Sequence, residues 1–175
     1  MKGTLQINQL IAIFSTMLLA IASLMALNAY AEPSKIYLVR HAEKVTTVRD
    51  GDLTAQGQQR AQNVAHMLKS AGINTIYSTD YRRTQQTAAP LAQALNLKVQ
   101  SYNPEKLKAF AENLKQQNGV IMVVGHSNTT PYLVRLLGGE AKDMTEKEYT
   151  RLYQLSFKGD KVSTVLLHTI AYQGQ

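Results

Sequence analysis

The chain has 175 residues, 45% hydrophobic and 18% charged, which fits one compact domain around a single core better than two. It contains no cysteine, so a disulfide framework and a cysteine-linked lipid anchor are both excluded, and the core must hold the fold alone. The formal net charge of +7 favours anionic ligands in general, whether phosphate esters, nucleic acid or an acidic membrane surface.

Residues 1–31 carry one charge, Lys2, followed by an apolar run from Leu10 to Leu27 that only Ser15, Thr16 and Ser23 interrupt. The run ends in Ala29-Tyr30-Ala31, a small-x-small site. This arrangement predicts a secretory signal peptide cleaved after Ala31, an exported and periplasmic protein, and one domain over residues 32–175. The alternative is an uncleaved N-terminal membrane anchor, since the run approaches the roughly 18 to 20 residues that span a bilayer. With cleavage, no stable membrane insertion is expected. Nucleic acid is the weakest of the anionic partners, because the basic residues form no cluster interleaved with aromatics and export removes an ordinary genomic partner.

After Pro33, Lys35 to Val39 reads as a buried first strand. A loop from Glu43 to Asp52 leads to Thr54, placed to cap a helix that runs to about Ser70 with Ala61, Val64, Ala65 and Leu68 on one face and Gly72 beyond its end. Thr75 to Ser78 predicts a second strand and Arg82 to Leu95 the next helix, which Pro90 is expected to kink or shorten. Leu97 to Gln100 is a third, peripheral strand, and Pro104 to Gln117 an amphipathic helix with Leu107, Phe110, Ala111 and Leu114 inward. Val120 to Val124 is the most apolar stretch of residues 32–175 and predicts a central parallel strand. A helix from about Pro131 to Leu137 follows, then two strands, Leu152–Phe157 and Val162–Thr169, that flank Lys158-Gly159-Asp160-Lys161 as a hairpin. Strands alternating with helices predict an α/β three-layer sandwich, with a mostly parallel central sheet and antiparallel terminal strands.

Three predicted strands each end in residues able to bind an anion: Arg40-His41, Arg82-Arg83 and His126. Ligands of parallel α/β sheets bind beyond the carboxyl ends of the strands, so these distant segments should meet in one crevice. The Arg82-Arg83 pair also stands near a helix start, where free N–H groups favour an anion.

The segments LVRHAEK, STDYRRTQQTA and VVGHSNTTP resemble, in order and spacing, the signatures of the histidine phosphatase superfamily, the phosphoglycerate mutase-like fold, with the likeness extending over about residues 35 to 170. The resemblance implies that His41 is the phosphorylated nucleophile, that Arg40 and Arg83 bind the phosphoryl group, that His126 is the second histidine, and that Asn128 supports the pocket. Arg83 rather than Arg82 is the matching arginine, because it precedes Thr84-Gln85-Gln86-Thr87-Ala88. Ala42 stands where the family usually has glycine.

Residue chemistry agrees with these roles. A guanidinium can grip two phosphate oxygens at once, and two of them favour a neutral His41 with a lone pair to offer phosphorus. His126 is expected to be protonated and to donate to an equatorial oxygen. The expected reaction is hydrolysis of phosphomonoesters through a phosphohistidine on His41, with no metal and no cofactor. For the leaving group's proton Glu105 is the candidate, with Glu43 and Asp80 as alternatives. His66 is expected to be solvated, His168 structural, Arg82 a surface or supporting charge, and Tyr149, Tyr153 and Tyr172 hairpin packing.

The expected partner is a small phosphorylated substrate, such as an envelope component. Alternatives are a non-catalytic phosphoryl-binding protein, a phosphohistidine protein phosphatase, and a metal-dependent hydrolase using His41, His126 and nearby acids. Mutase chemistry is not expected, since residues 32–175 leave little room for the insertions that shape a mutase pocket.

Overall fold

A computed structural model describes residues 32–170. The predicted signal peptide or anchor and Tyr172 lie outside the described residues. No helix among the described residues is long and apolar enough to cross a membrane.

Six strands form one sheet: β1 (Pro33–Arg40), β2 (Ile73–Ser78), β3 (Val99–Ser101), β4 (Gly119–Gly125), β5 (Arg151–Lys158) and β6 (Lys161–His168). Their spatial order is β3-β2-β4-β1-β5-β6. The first four run parallel, and β5 and β6 close the sheet antiparallel, as the hairpin pattern predicted. The helices are α1 (Ala55–Leu68), α2 (Arg82–Leu95), α3 (Leu107–Lys115) and α4 (Thr129–Leu136), and a 3-10 turn at Pro104–Lys106 precedes α3.

Side chains alternate across the pleat, and each set supplies one of two cores. Ile36 and Leu38 of β1 and Ile121 and Val123 of β4 pack against Leu107, Ala111 and Leu114 of α3 and Leu133, Val134 and Leu137 of α4 and its C-cap. Tyr37 and Val39 of β1 and Met122 and Val124 of β4 face Val64, Ala65 and Leu68 of α1 and Ala88, Leu91 and Ala92 of α2 on the other side. This is a three-layer α/β sandwich. Each large aliphatic side chain so enclosed is worth about 1.5–3 kcal/mol relative to exposure.

Local chemistry explains the element ends. The Thr54 hydroxyl caps α1 by accepting from the Gly57 amide at 3.1 Å. A Cβ at Gly57 would lie 2.1 Å from the Glu43 carbonyl oxygen, so glycine lets the helix start press against the loop after β1. Pro90 does not shorten α2, which runs through it to Leu95. The helix loses one backbone bond there, and burial of Thr84, Thr87, Ala88, Leu91 and Ala92 on either side outweighs the loss. Strand β3 starts at Val99 rather than Leu97. Asn96 adopts a left-handed conformation and the Leu97 amide bonds back to the Ala92 carbonyl, so both residues belong to the helix end. The predicted helix over 104–117 opens as the 3-10 turn, with the Asn103 side chain accepting from the Glu105 amide, and ends at Lys115.

Candidate active site

The carboxyl ends of β1, β4 and β2 are level. Arg40 pairs with Gly125 and Ser78 with Val124, so residues 41, 79 and 126 leave the sheet side by side. Gly125 permits the close approach of α4, because a Cβ there would come within 2.9 Å of the Thr129 and Thr130 hydroxyls. The His126 amide donates to that Thr129 hydroxyl at 2.9 Å. The loop after β1 is tied down by the His41 amide, which donates to the Gly125 carbonyl at 2.9 Å, and by the Ala42 amide, which donates to the Thr87 hydroxyl at 3.0 Å.

His41 is 3% exposed. Its Nδ1 lies 2.7 Å from the Ala42 carbonyl oxygen, which can only accept. Nδ1 therefore carries the proton, and Nε2 keeps the lone pair. Burial pushes the ring pKa down to about 3, with the charges of Arg40 and Arg83 acting in the same direction. The neutral ring expected from the sequence is thus what the fold enforces.

The ring of His126 lies 5.5 Å from that of His41, centroid to centroid. Its expected protonated state is corrected by the structure: burial, then the charges of Arg83 and Arg40, push its pKa down to about 4, so the ring is neutral.

Arg83 stacks on Tyr81, 4.3 Å from the ring centroid, and its Nη1 reaches Asp50 at 3.3 Å. Its buried Nε–H has no partner. His41, Arg83, His126 and Asn128 all line one cavity of about 470 Å³, together with Lys44, Tyr81, Ser127 and Glu146. Asn128 sits at the exposed start of α4 and makes no capping bond.

Arg40 is placed differently from its expected neighbours. Its guanidinium is 1% exposed and is not among the cavity's walls. Nη1 donates to the carbonyls of Thr145 and Glu148 at 3.0 Å each, and Nη2 to the Glu146 carboxylate at 2.8 Å. The Tyr149 ring covers it at 4.1 Å, and its Nε–H has no partner.

Among the acids, Glu105 is exposed on the 3-10 turn and lines both this cavity and an adjoining one of about 580 Å³. Asp80 lines only the adjoining cavity and accepts from the Ser101 hydroxyl. Glu43 is committed elsewhere. Burial pushes its carboxyl up, but the hydrogen bonds from Arg60 outweigh this and hold it below the usual carboxylate range. Both Glu43 oxygens accept from Arg60 Nε, at 2.9 and 3.0 Å, which removes this residue as a proton donor.

Tyr149 is not hairpin packing: it precedes β5, and its ring meets the edge of His41 at 6.0 Å. Tyr153 is buried on β5 in the core, Arg82 pairs with Asp52 at the surface, and His66 is exposed. His168, exposed at the end of β6, bonds to the Thr150 hydroxyl. Sequence reasoning gave no role to Thr79, Ser127, Tyr81 and Lys44, although each lies inside one of the three quoted segments, nor to Glu146, which no motif marks. Among the described residues, no group of three or more His, Asp or Glu side chains could hold a metal ion.

Residues 36–103 match the histidine phosphatase superfamily (branch 1). The chain is 44% identical over 72 residues to a probable phosphoglycerate mutase GpmB of Proteus mirabilis, covering 37% of this chain and 34% of that one. It is 34% identical over 110 residues to the Escherichia coli protein of the same description, covering 50% and 51%. The chain therefore spans about a third to a half of the length of these curated relatives. Among solved structures, a putative phosphohistidine phosphatase SixA from Nakamurella multipartitia superimposes with a TM-score of 0.59 at 17% identity, covering 78% of this chain and 96% of that one. A putative α-ribazole-5'-P phosphatase from Escherichia coli does so with a TM-score of 0.62 at 18% identity, covering 77% and 96%. Residues 36–103 thus resemble the histidine phosphatase superfamily, and the fold is the one that these two solved structures share.

Proposed function

We propose that this protein is a metal-independent phosphatase that hydrolyses phosphomonoesters through a phosphohistidine on His41. The observation that carries the reading is the state of that ring: neutral, with Nδ1–H bound to the Ala42 carbonyl, and forming one wall of a cavity shared with Arg83 and His126. Nε2 then attacks phosphorus, the ester P–O bond breaks, and water later cleaves the P–N bond to release phosphate and restore the ring. Arg83 supplies the unpartnered Nε–H and stabilises charge on the equatorial oxygens, with Arg40 as the second guanidinium and Asn128 at the rim. A bound dianion raises the pKa of His126, so that ring takes up a proton as substrate enters. Glu105, exposed on the cavity wall, is the donor to the leaving alkoxide.

The N-terminal segment supports a place of action outside the cytoplasm, with residues 32–175 as the enzyme and a phosphorylated envelope component as substrate. A second reading, a phosphohistidine protein phosphatase, draws on the fold shared with the SixA structure, which this chain covers almost completely. A phosphoramidate leaving group would need less help from an acid.

The test is hydrolysis of p-nitrophenyl phosphate and of a panel of phosphorylated sugars, alcohols and phosphoramidates, with chelator present throughout. Turnover that vanadate inhibits, and an acid-labile phosphoryl label that His41→Ala lacks, are expected. A His41→Ala variant as active as the parent would refute the proposal, and a preference for phosphoramidates would select the second reading.

A further inference from the structure

Both nitrogens of the His126 ring are engaged, and the partners determine which is protonated. Nδ1 lies 3.3 Å from Arg83 Nη2, and a guanidinium only donates, so Nδ1 must accept. The neutral ring then carries its proton on Nε2, which lies 3.0 Å from the Thr79 hydroxyl oxygen. Thr79 thus receives this hydrogen bond and must send its own proton elsewhere. The Thr84 hydroxyl is 2.8 Å away. Thr84 in turn is within reach of two carbonyl oxygens, that of Thr79 at 3.0 Å and that of Tyr81 at 2.8 Å. Carbonyls only accept, so they fix the direction of the whole series: His126 to Thr79, Thr79 to Thr84, Thr84 to backbone. Thr79 and Thr84 are both fully buried, so water cannot substitute for either hydroxyl.

We infer that Thr79 is a positioning residue for the proposed phosphoryl transfer: it anchors Nε2–H of His126, so that Nδ1, beside Arg83, is the nitrogen that gains and loses the proton. Either protonation state of the ring keeps the Nε2–H bond to Thr79. When Arg83 turns its Nη2 toward a phosphoryl oxygen, Nδ1 loses its donor and becomes the basic site, next to the group whose charge has to be stabilised. The inference rests on the reading of this cavity as a phosphoryl site for its purpose, but not for its geometry.

The test uses histidine-¹⁵N-labelled full-length protein, with long-range ¹H–¹⁵N spectra at neutral pH and turnover of p-nitrophenyl phosphate. Thr79→Val replaces the hydroxyl by a methyl of similar volume, and Thr79→Ser keeps it. The parent and Thr79→Ser should show His126 as one neutral tautomer protonated on Nε2, whereas Thr79→Val should show a mixture and a roughly tenfold fall in kcat, about 1.4 kcal/mol of transition-state stabilisation. A parent spectrum with the proton on Nδ1, or an unchanged single tautomer in Thr79→Val, would overturn the inference. The spectrum of the parent decides this even where the valine variant does not fold. The expected tautomers in a protein without phosphatase activity would uphold the anchoring by Thr79 and sink the proposed function instead.

Discussion

Lowering the pH from 7.5 to 5 should cost this fold about 2 kcal/mol through His41 alone, since a side chain free in the unfolded chain takes up a proton that the folded site refuses. In the folded protein the ring pKa is about 3, against an ordinary value of 6.5. Between those values the unfolded state binds more protons, so acid favours unfolding, and the associated stability is present above 6.5 and lost as pH falls. At pH 5 the cost is set by the distance from the unfolded value, about 1.5 units at about 1.36 kcal/mol each. It hardly depends on where below pH 4 the folded value lies. His126 acts in the same direction. The chain has no tryptophan, so urea unfolding is best followed by far-UV circular dichroism. His41→Asn, whose amide can still donate to the Ala42 carbonyl, should show a pH dependence smaller by about 2 kcal/mol between pH 7.5 and 5. If it keeps the full loss, the buried neutral ring is not its source.

Arg60→Met should destabilise the fold by about 3 kcal/mol, because Glu43 would then be enclosed without its partner; urea midpoints of this variant and of Arg60→Met/Glu43→Gln check this, and the second change should recover part of the loss. Glu146 holds Arg40 Nη2 with one oxygen and accepts from the Ser127 hydroxyl at 2.5 Å with the other, so a phosphoryl group reaching Arg40 must displace it. Glu146→Gln should therefore bind inorganic phosphate about fivefold more tightly, the upper end for freeing an exposed ion pair, and unchanged inhibition by phosphate would exclude that competition.

The sheet was legible because its strands are marked by composition: Ile36 to Val39 and Val120 to Val124 are too apolar to lie anywhere but between two layers. The positions of His41 and His126 were legible because they follow those strands closely, and that of Arg83 because it opens the helix after β2. What the pattern could not show is contact made across long separations. Arg40 and Glu146 are 106 residues apart, and nothing in the periodicity of either segment announces that the carboxylate meets the guanidinium. Tyr149 misled because an aromatic shortly before a hairpin reads as sheet packing, whereas it covers Arg40 beside His41. The neutral state of His126 before an anion binds was hidden for a similar reason: it follows from burial and from two guanidinium charges, neither visible in the segment that carries it.

Arg60 joins parts of the chain that leave the ribosome at very different times. Its Nη1 donates to the carbonyl and hydroxyl oxygens of Thr169 at 3.0 Å, while its Nε and Nη2 hold Glu43, two residues from His41. During synthesis the guanidinium can find Glu43 early but waits for more than a hundred further residues before its other side is satisfied. The bridge from the loop after β1 to the chain end is thus complete only after β6 has been delivered, so this part of the fold is among the last to reach its final setting.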